Sequence, residues 1–136
     1  MSSVFIDTGA FVAFLDGSDR SHAAVAALFA APPRRLFTSA PVLAEGYGWF
    51  LHRLGESAAR QFLALLDELP ALEVVDTDPK HRIAIRRKLD AHRGRKLTWV
   101  DASSLEVCRS RKIATVWGVD LDLAIEGARV LPGPPG

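Results

Sequence analysis

Short apolar runs alternate along this chain with longer stretches in which apolar residues recur at helical spacing. Val4-Phe5-Ile6 is a run too short for a helix and reads as a buried strand, and Ala10 to Leu15 follows as a short apolar helix ending near Asp16-Gly17. His22 to Ala31 predicts a second helix, with Ser21 as its cap and Pro32-Pro33 as its stop. Leu36-Phe37-Thr38 is a second strand; Ser39 and Pro41 open a helix that runs to about Leu54 and is closed by Gly55. From Ser57 to Leu69, Phe62, Leu65, Leu66 and Leu69 share one side of a helix that Pro70 should end. Leu72 to Val75 is a third strand.

The second half repeats the alternation. Asp78-Pro79 pairs a favoured cap with a first-turn proline, opening a helix through about Ala91 before the break at Gly94. Thr98-Trp99-Val100-Asp101 has the spacing of a capping box, with Asp where Glu is more usual, so the next helix should run from Trp99 to about Arg111. Ile113 to Trp117 and Ala128 to Leu131 are the last strands, and the tail from Leu131 to Gly136 is rich in Pro and Gly. Strands separated by helices require crossover connections, hence a mostly parallel sheet covered on both faces. The expected architecture is an α/β three-layer sandwich, and 136 residues suit one domain spanning residues 1–136.

Composition narrows the class. With 49% hydrophobic and 24% charged residues the chain resembles ordered globular proteins. A single cysteine, Cys108, allows no internal disulfide and suggests a buried thiol in a reducing compartment. No run approaches the roughly 18 apolar residues of a membrane span, and Met1-Ser2-Ser3-Val4 carries no basic leader signature, so a cytoplasmic location is expected. The formal charge of +1 is unevenly spread: Lys80 to Lys96 holds eight of the 17 Lys and Arg residues but one of the 16 acids. Such a segment suits a polyanion with salt-dependent binding, or equally a solvated helix face.

The candidate chemistry is acidic. Asp7 directly follows the first strand, and Asp120 follows the fourth after Gly118-Val119. In open parallel sheets ligands bind outside the carboxyl ends of strands, where strand order reverses. Asp101 lies in the first turn of the helix leading to the fourth strand, and Glu45 two turns into the helix after the second. Glu45 interrupts the apolar stretch of Leu43, Ala44 and Gly46, where a glutamate is seldom buried without a partner. Each aspartate has a simpler role open to it: Asp7 as a helix cap, Asp101 within its capping box, Asp120 and Asp122 as turn residues.

Two carboxylates about 4 Å apart repel by roughly 4 kcal/mol at an effective dielectric near 20, so four that converge need protons, distance or bridging cations. An all-oxygen set suits magnesium, and no His or Cys cluster points to zinc. Carboxylate-held magnesium suits phosphodiester hydrolysis.

In order and context these acids resemble the PIN-domain family. Phe5-Ile6-Asp7-Thr8 is similar to its opening signature, Thr38-Ser39 with Val42-Leu43-Ala44-Glu45 to its second, Leu97 to Ala102 to its third, and Val116 to Asp120 to its fourth. The likeness runs from Val4 to Pro132. It implies a parallel five-stranded sheet and a magnesium site of Asp7, Glu45, Asp101 and Asp120, with manganese as a possible substitute. It further implies that Thr8 and Ser39 orient acids or water. Small PIN proteins are commonly VapC-type toxins, so the resemblance implies an endoribonuclease of a toxin-antitoxin pair, a homodimer, and an antitoxin partner.

The fourth motif departs from the pattern. Many members carry Thr or Ser where this chain has Gly118, and an aromatic where it has Leu123, which leaves Asp122 as an alternative to Asp120. Arg86, Arg87, Lys88, Arg93, Arg95 and Lys96 are candidates for the RNA backbone. Trp49, Trp99 and Trp117 lie among apolar residues and are expected in the core, while the four histidines show no ligand spacing and are expected at the surface. Two rival readings remain: a catalytically weak PIN-like module that binds RNA or protein, and a retroviral-type aspartic protease suggested by Asp7-Thr8-Gly9-Ala10.

Overall fold

In the computed structural model, which describes residues 2–69 and 71–136, five parallel strands form one sheet. The strands are β1 (Ser3–Ile6), β2 (Arg35–Ser39), β3 (Leu72–Val75), β4 (Thr115–Gly118) and β5 (Arg129–Pro132), arranged in space as β3-β2-β1-β4-β5. The helices are α1 (Thr8–Leu15), α2 (His22–Ala30), α3 (Ala40–Leu54), α4 (Glu56–Glu68), α5 (Pro79–Ala91) and α6 (Trp99–Arg111). The parallel α/β architecture read from the alternation is the one observed, and it removes the aspartic-protease reading, which requires a mostly β protein.

β1 lies at the centre because its side chains can be buried on both faces: Phe5 and Ile6 are fully buried. Phe62 packs on Phe11 and on Phe50, each with ring centroids 5.2 Å apart, and Phe29 meets Trp117 at 4.9 Å. These contacts fix α1, α3 and α4 against each other and α2 against β4.

Several boundaries differ from the sequence reading for local reasons. Ile113 is not in β4: Lys112 ends α6 in the left-handed region at φ 55°, and the Ile113 amide turns back to the Cys108 carbonyl at 2.8 Å. Ser21 precedes α2 without a side-chain cap. A short 3-10 helix, Leu121–Ala124, occupies what read only as a turn, and Pro132 extends β5, which tolerates proline because it is an edge strand. The expected stop at Pro70 lies outside the described residues.

Trp117 is buried and Trp49 half-buried, but Trp99 keeps 40% of its surface exposed, contrary to the expected core position. His22, His81 and His92 are half-buried and hydrogen-bonded rather than simply solvated.

Candidate metal centre and its surroundings

β1 has β2 on one side and β4 on the other, so strand order reverses at β1 and opens a crevice at the carboxyl ends of β1 and β4. Asp7 stands at that point. Its amide donates to the Trp117 carbonyl at 2.9 Å, continuing the β1–β4 ladder by one residue. Gly9 then allows the first turn of α1 to lie against the loop after β4: a Cβ at Gly9 would come within 2.8 Å of Val119 Cγ2. Close approach is thus the reason for glycine at this position, and it holds Asp7 beside the segment carrying Asp120.

Asp7 occupies the N-cap position of α1, yet its side chain makes no capping hydrogen bond. The carboxylate is 7% exposed, and its Oδ1 and the neighbouring Thr8 Oγ1 are buried without hydrogen-bond partners among the described residues. Burial is the largest influence on the Asp7 carboxyl, with the charges of Glu45 and Asp101 adding to it against the opposing amides of Thr8 and Gly9; together they push its pKa up to about 7. Asp7, Glu45 and Asp101 therefore act electrostatically on one place. Burial, with the charge of Asp7 adding to it, also pushes the Cys108 thiol on the inner face of α6 up to about 12, which makes it a poor nucleophile.

On the other side of the crevice, Asp101, Asp120 and Asp122 each place a carboxylate oxygen within 4.8 Å of the others. Unlike Asp7, Asp101 and Asp120 also perform the simpler roles open to them. Thr98 and Asp101 form a reciprocal capping box at 3.1 Å, and Asp120 Oδ1 accepts from the Asp122 amide at 2.9 Å. Capping leaves acceptor capacity on each carboxylate, so the structural and the ligating roles are compatible. Asp122 belongs to the group on equal terms with Asp120. Glu45 is exposed rather than buried, so its relevance comes from its charge near Asp7 and not from an unpaired interior position.

Thr38 and Ser39 have defined local roles. Thr38 Oγ1 donates to the Ile6 carbonyl at 2.9 Å, tying β2 to the end of β1, and Ser39 Oγ accepts from the Val42 amide at 3.3 Å as the cap of α3. The two departures in the fourth motif prove to be neighbours: a Cβ at Gly118 would lie 3.2 Å from Leu123 Cδ1 and 3.5 Å from Asp7 Cβ. Leu123 is buried in that space. Glycine here makes room for the leucine under the 3-10 helix, so the loop bearing Asp120 and Asp122 is packed down against Asp7.

The basic segment divides in two. Arg86, Arg87, Arg93, Arg95 and Lys96 are exposed, whereas Lys88 is buried and cannot serve as a free phosphate contact. Its Nζ hydrogen-bonds Glu126 Oε1 and lies 3.7 Å from Glu106 Oε1. Arg109 forks onto Glu106 at 2.8 and 2.7 Å, and His92 Nε2 meets Glu126 Oε2 at 2.8 Å. This cluster joins α5 and α6 to the loop after the 3-10 helix. Charge runs conceal it in the sequence; the only signal is that Lys88 falls three residues after Ile85 on the buried stripe of α5.

Among the described residues, none of Asp7, Glu45, Asp101, Asp120 and Asp122 forms an ion pair with a basic side chain. An all-oxygen donor set, a buried carboxylate oxygen without a partner and no described basic side chain within ion-pair distance together fit a hard divalent ion.

A parallel sheet with an acidic crevice at its switch point defines the class: an α/β protein equipped to hold divalent metal at the carboxyl ends of its central strands. The chain belongs to the PIN domain family, whose model matches residues 4–125. It is 29% identical over 125 residues to the 23S rRNA-specific endonuclease VapC20 of Mycobacterium tuberculosis, covering 91% of this chain and 94% of the relative. The crystal structure of VapC20, described as a Sarcin-Ricin loop cleaving toxin, superposes with a TM-score of 0.85 at 26% identity, covering 92% of this chain and 95% of that one. VapBC-5 of M. tuberculosis, from the VapBC family of toxin-antitoxin systems, shares the fold with a TM-score of 0.56 at 23% identity, covering 96% of each chain. The chain is thus an endonuclease homologue of the VapC type.

Proposed function

We propose that this protein is a magnesium-dependent endoribonuclease, the toxin of a type II toxin-antitoxin pair, in which Asp7, Asp101, Asp120 and Asp122 hold the metal with Glu45 at the rim. The observation that carries this reading is the buried Asp7 carboxylate, its Oδ1 without a hydrogen-bond partner and its pKa pushed up to about 7, facing acids that have no basic counterpart among the described residues. Bound magnesium would supply an activated water and neutralise charge on the phosphoryl oxygens.

The chain's own residues do the rest. Thr38 and the β1–β4 ladder fix the backbone that bears Asp7, while the Thr98 capping box fixes the Asp101 carboxylate. Thr8 Oγ1, buried and free beside Asp7, is positioned to orient a water. Exposed Arg86, Arg87, Arg93, Arg95 and Lys96 offer contacts to RNA phosphates. By likeness to VapC20 the substrate class is ribosomal RNA presenting a structured loop, and by likeness to the VapBC proteins an antitoxin restrains the enzyme. A homodimer and a cytoplasmic site of action complete the reading.

The test is cleavage of ribosomal RNA by purified protein. Cleavage at defined positions with Mg2+ or Mn2+, abolished by EDTA and by Asp7→Asn with an unchanged circular dichroism spectrum, is expected. Equal cleavage by wild type and Asp7→Asn would contradict it, because the activity would then come from another nuclease.

A further inference from the structure

Trp99 is the tryptophan that the fold does not use. Trp117 is 3% exposed and packs on Phe29, and Trp49 meets Phe50 edge-on at 5.3 Å with the Arg53 guanidinium 5.6 Å from its ring. Trp99 keeps 40% of its surface in solvent and, among the described residues, stacks on no other aromatic ring. It is the first residue of α6 and Asp101 of the acid group is the third, so both stand in the first turn at the amino end of that helix, on different faces of it.

The chain leading into it is cationic. Arg95 and Lys96 are exposed, and among the described residues neither pairs with a carboxylate. Gly94 at φ 97° and Lys96 at φ 57° bend this loop through the left-handed region. Within seven residues the sequence therefore presents two cations, an exposed indole and a candidate metal ligand, in that order. Cations that track a phosphate backbone beside an aromatic face that stacks bases are the two components of single-stranded nucleic-acid recognition. A protein partner would need only apolar complement to Trp99; the exposed cations beside it favour an anionic partner with a flat face, which a nucleotide is.

We propose that Trp99, with Arg95 and Lys96, forms a stacking subsite for one unpaired nucleobase of the RNA, next to the phosphodiester presented to the acids. The subsite selects RNA in which a base is already free of its helix, because a paired base would first have to be unstacked. This inference rests on the nuclease reading for the identity of the acid group, but not for the binding it describes.

The experiment measures affinity of the full-length protein for a fluorescein-labelled hairpin RNA, by anisotropy in EDTA so that nothing is cut. Trp99→Ala should weaken binding about 5- to 100-fold, with most of the affinity retained in Trp99→Phe. An abasic residue at one loop position should cost wild type a similar factor and Trp99→Ala little more, since both changes remove one stacked pair. Unchanged RNA affinity in Trp99→Ala would overturn the proposal, as would losses that simply multiply at every abasic position. Unchanged RNA affinity together with weakened antitoxin binding would likewise overturn it and assign the indole to the protein partner. Binding that depends on Trp99 in a protein that fails to cut RNA with Mg2+ would support the subsite while contradicting the nuclease reading.

Discussion

Two groups of acids lie within this small fold, and they are treated in opposite ways. Glu106 and Glu126 are met by Lys88, Arg109 and His92. The Arg109 fork, aided by Lys88, holds the Glu106 carboxyl below the ordinary range, and at Glu126 the hydrogen bonds from Lys88 and His92 outweigh the effect of burial. Asp7, Glu45, Asp101, Asp120 and Asp122 have no such partners, and Asp7 is pushed the other way, to about 7. The first group is a closed structural joint. The second has no basic counter-charge among the described residues, and that is the place the proposed metal would fill.

The largest expected effect separates function from stability at Asp7. Asp7→Asn should reduce RNA cleavage by more than about 1000-fold, as removal of one member of a catalytic unit does, and yet leave the metal-free protein at least as stable as wild type. Initial rates and thermal melts on the same preparation check both halves; a variant that loses activity by unfolding would break the comparison.

The closed group should behave in reverse. Lys88→Met leaves Glu106 and Glu126 facing each other without their shared cation and should cost about 3–5 kcal/mol in urea denaturation. A loss below about 1 kcal/mol would show that Lys88 contributes little there. Such a variant keeps every acid of the candidate centre, so any residual folded protein should retain metal-dependent cleavage.

pH sharpens the contrast. The Asp7 carboxyl binds its proton more tightly in the folded than in the unfolded chain, so its contribution to stability is full below pH 3.8 and is lost as pH rises through about 7. Between pH 5 and pH 8 the metal-free wild type should therefore lose on the order of a few kcal/mol that Asp7→Asn does not lose, read as the difference between their melting curves. Parallel curves would place the Asp7 pKa near its ordinary value.

The smallest effect is on RNA contact. Arg86→Ala with Arg87→Ala should lower the slope of log affinity against log salt by about 1 to 2, without changing the cleavage position. An unchanged slope would remove both residues from the RNA interface.

Much of this was legible in the sequence because period and punctuation agree there. The start of α6 follows from the Thr98–Asp101 spacing, and the place of Asp7 follows from an apolar strand that ends in an acid. What stayed hidden depends on partners far along the chain. Lys88 reads as one cation in a basic run, and nothing local reveals that Glu106 and Glu126 wait for it 18 and 38 residues later. Trp99 was misplaced because apolar neighbours suggest burial, while its position at the start of a capped helix leaves it at the rim. Glu45 likewise has apolar neighbours in the sequence, yet it lies exposed on α3. Gly118 looked like a lost hydroxyl, and only the packing of Leu123 shows it as the space that lets the acidic loop close down.

The most direct measurement is calorimetric titration of Mg2+ into the metal-free protein at pH 7, repeated in two buffers of different ionisation enthalpy. Saturable binding that releases about half a proton per protein, with the proton release absent in Asp7→Asn, is the expected result, since the metal must displace the proton that Asp7 carries at its raised pKa. Absence of saturable binding, or identical proton release from wild type and Asp7→Asn, would mean that these acids do not form a metal centre.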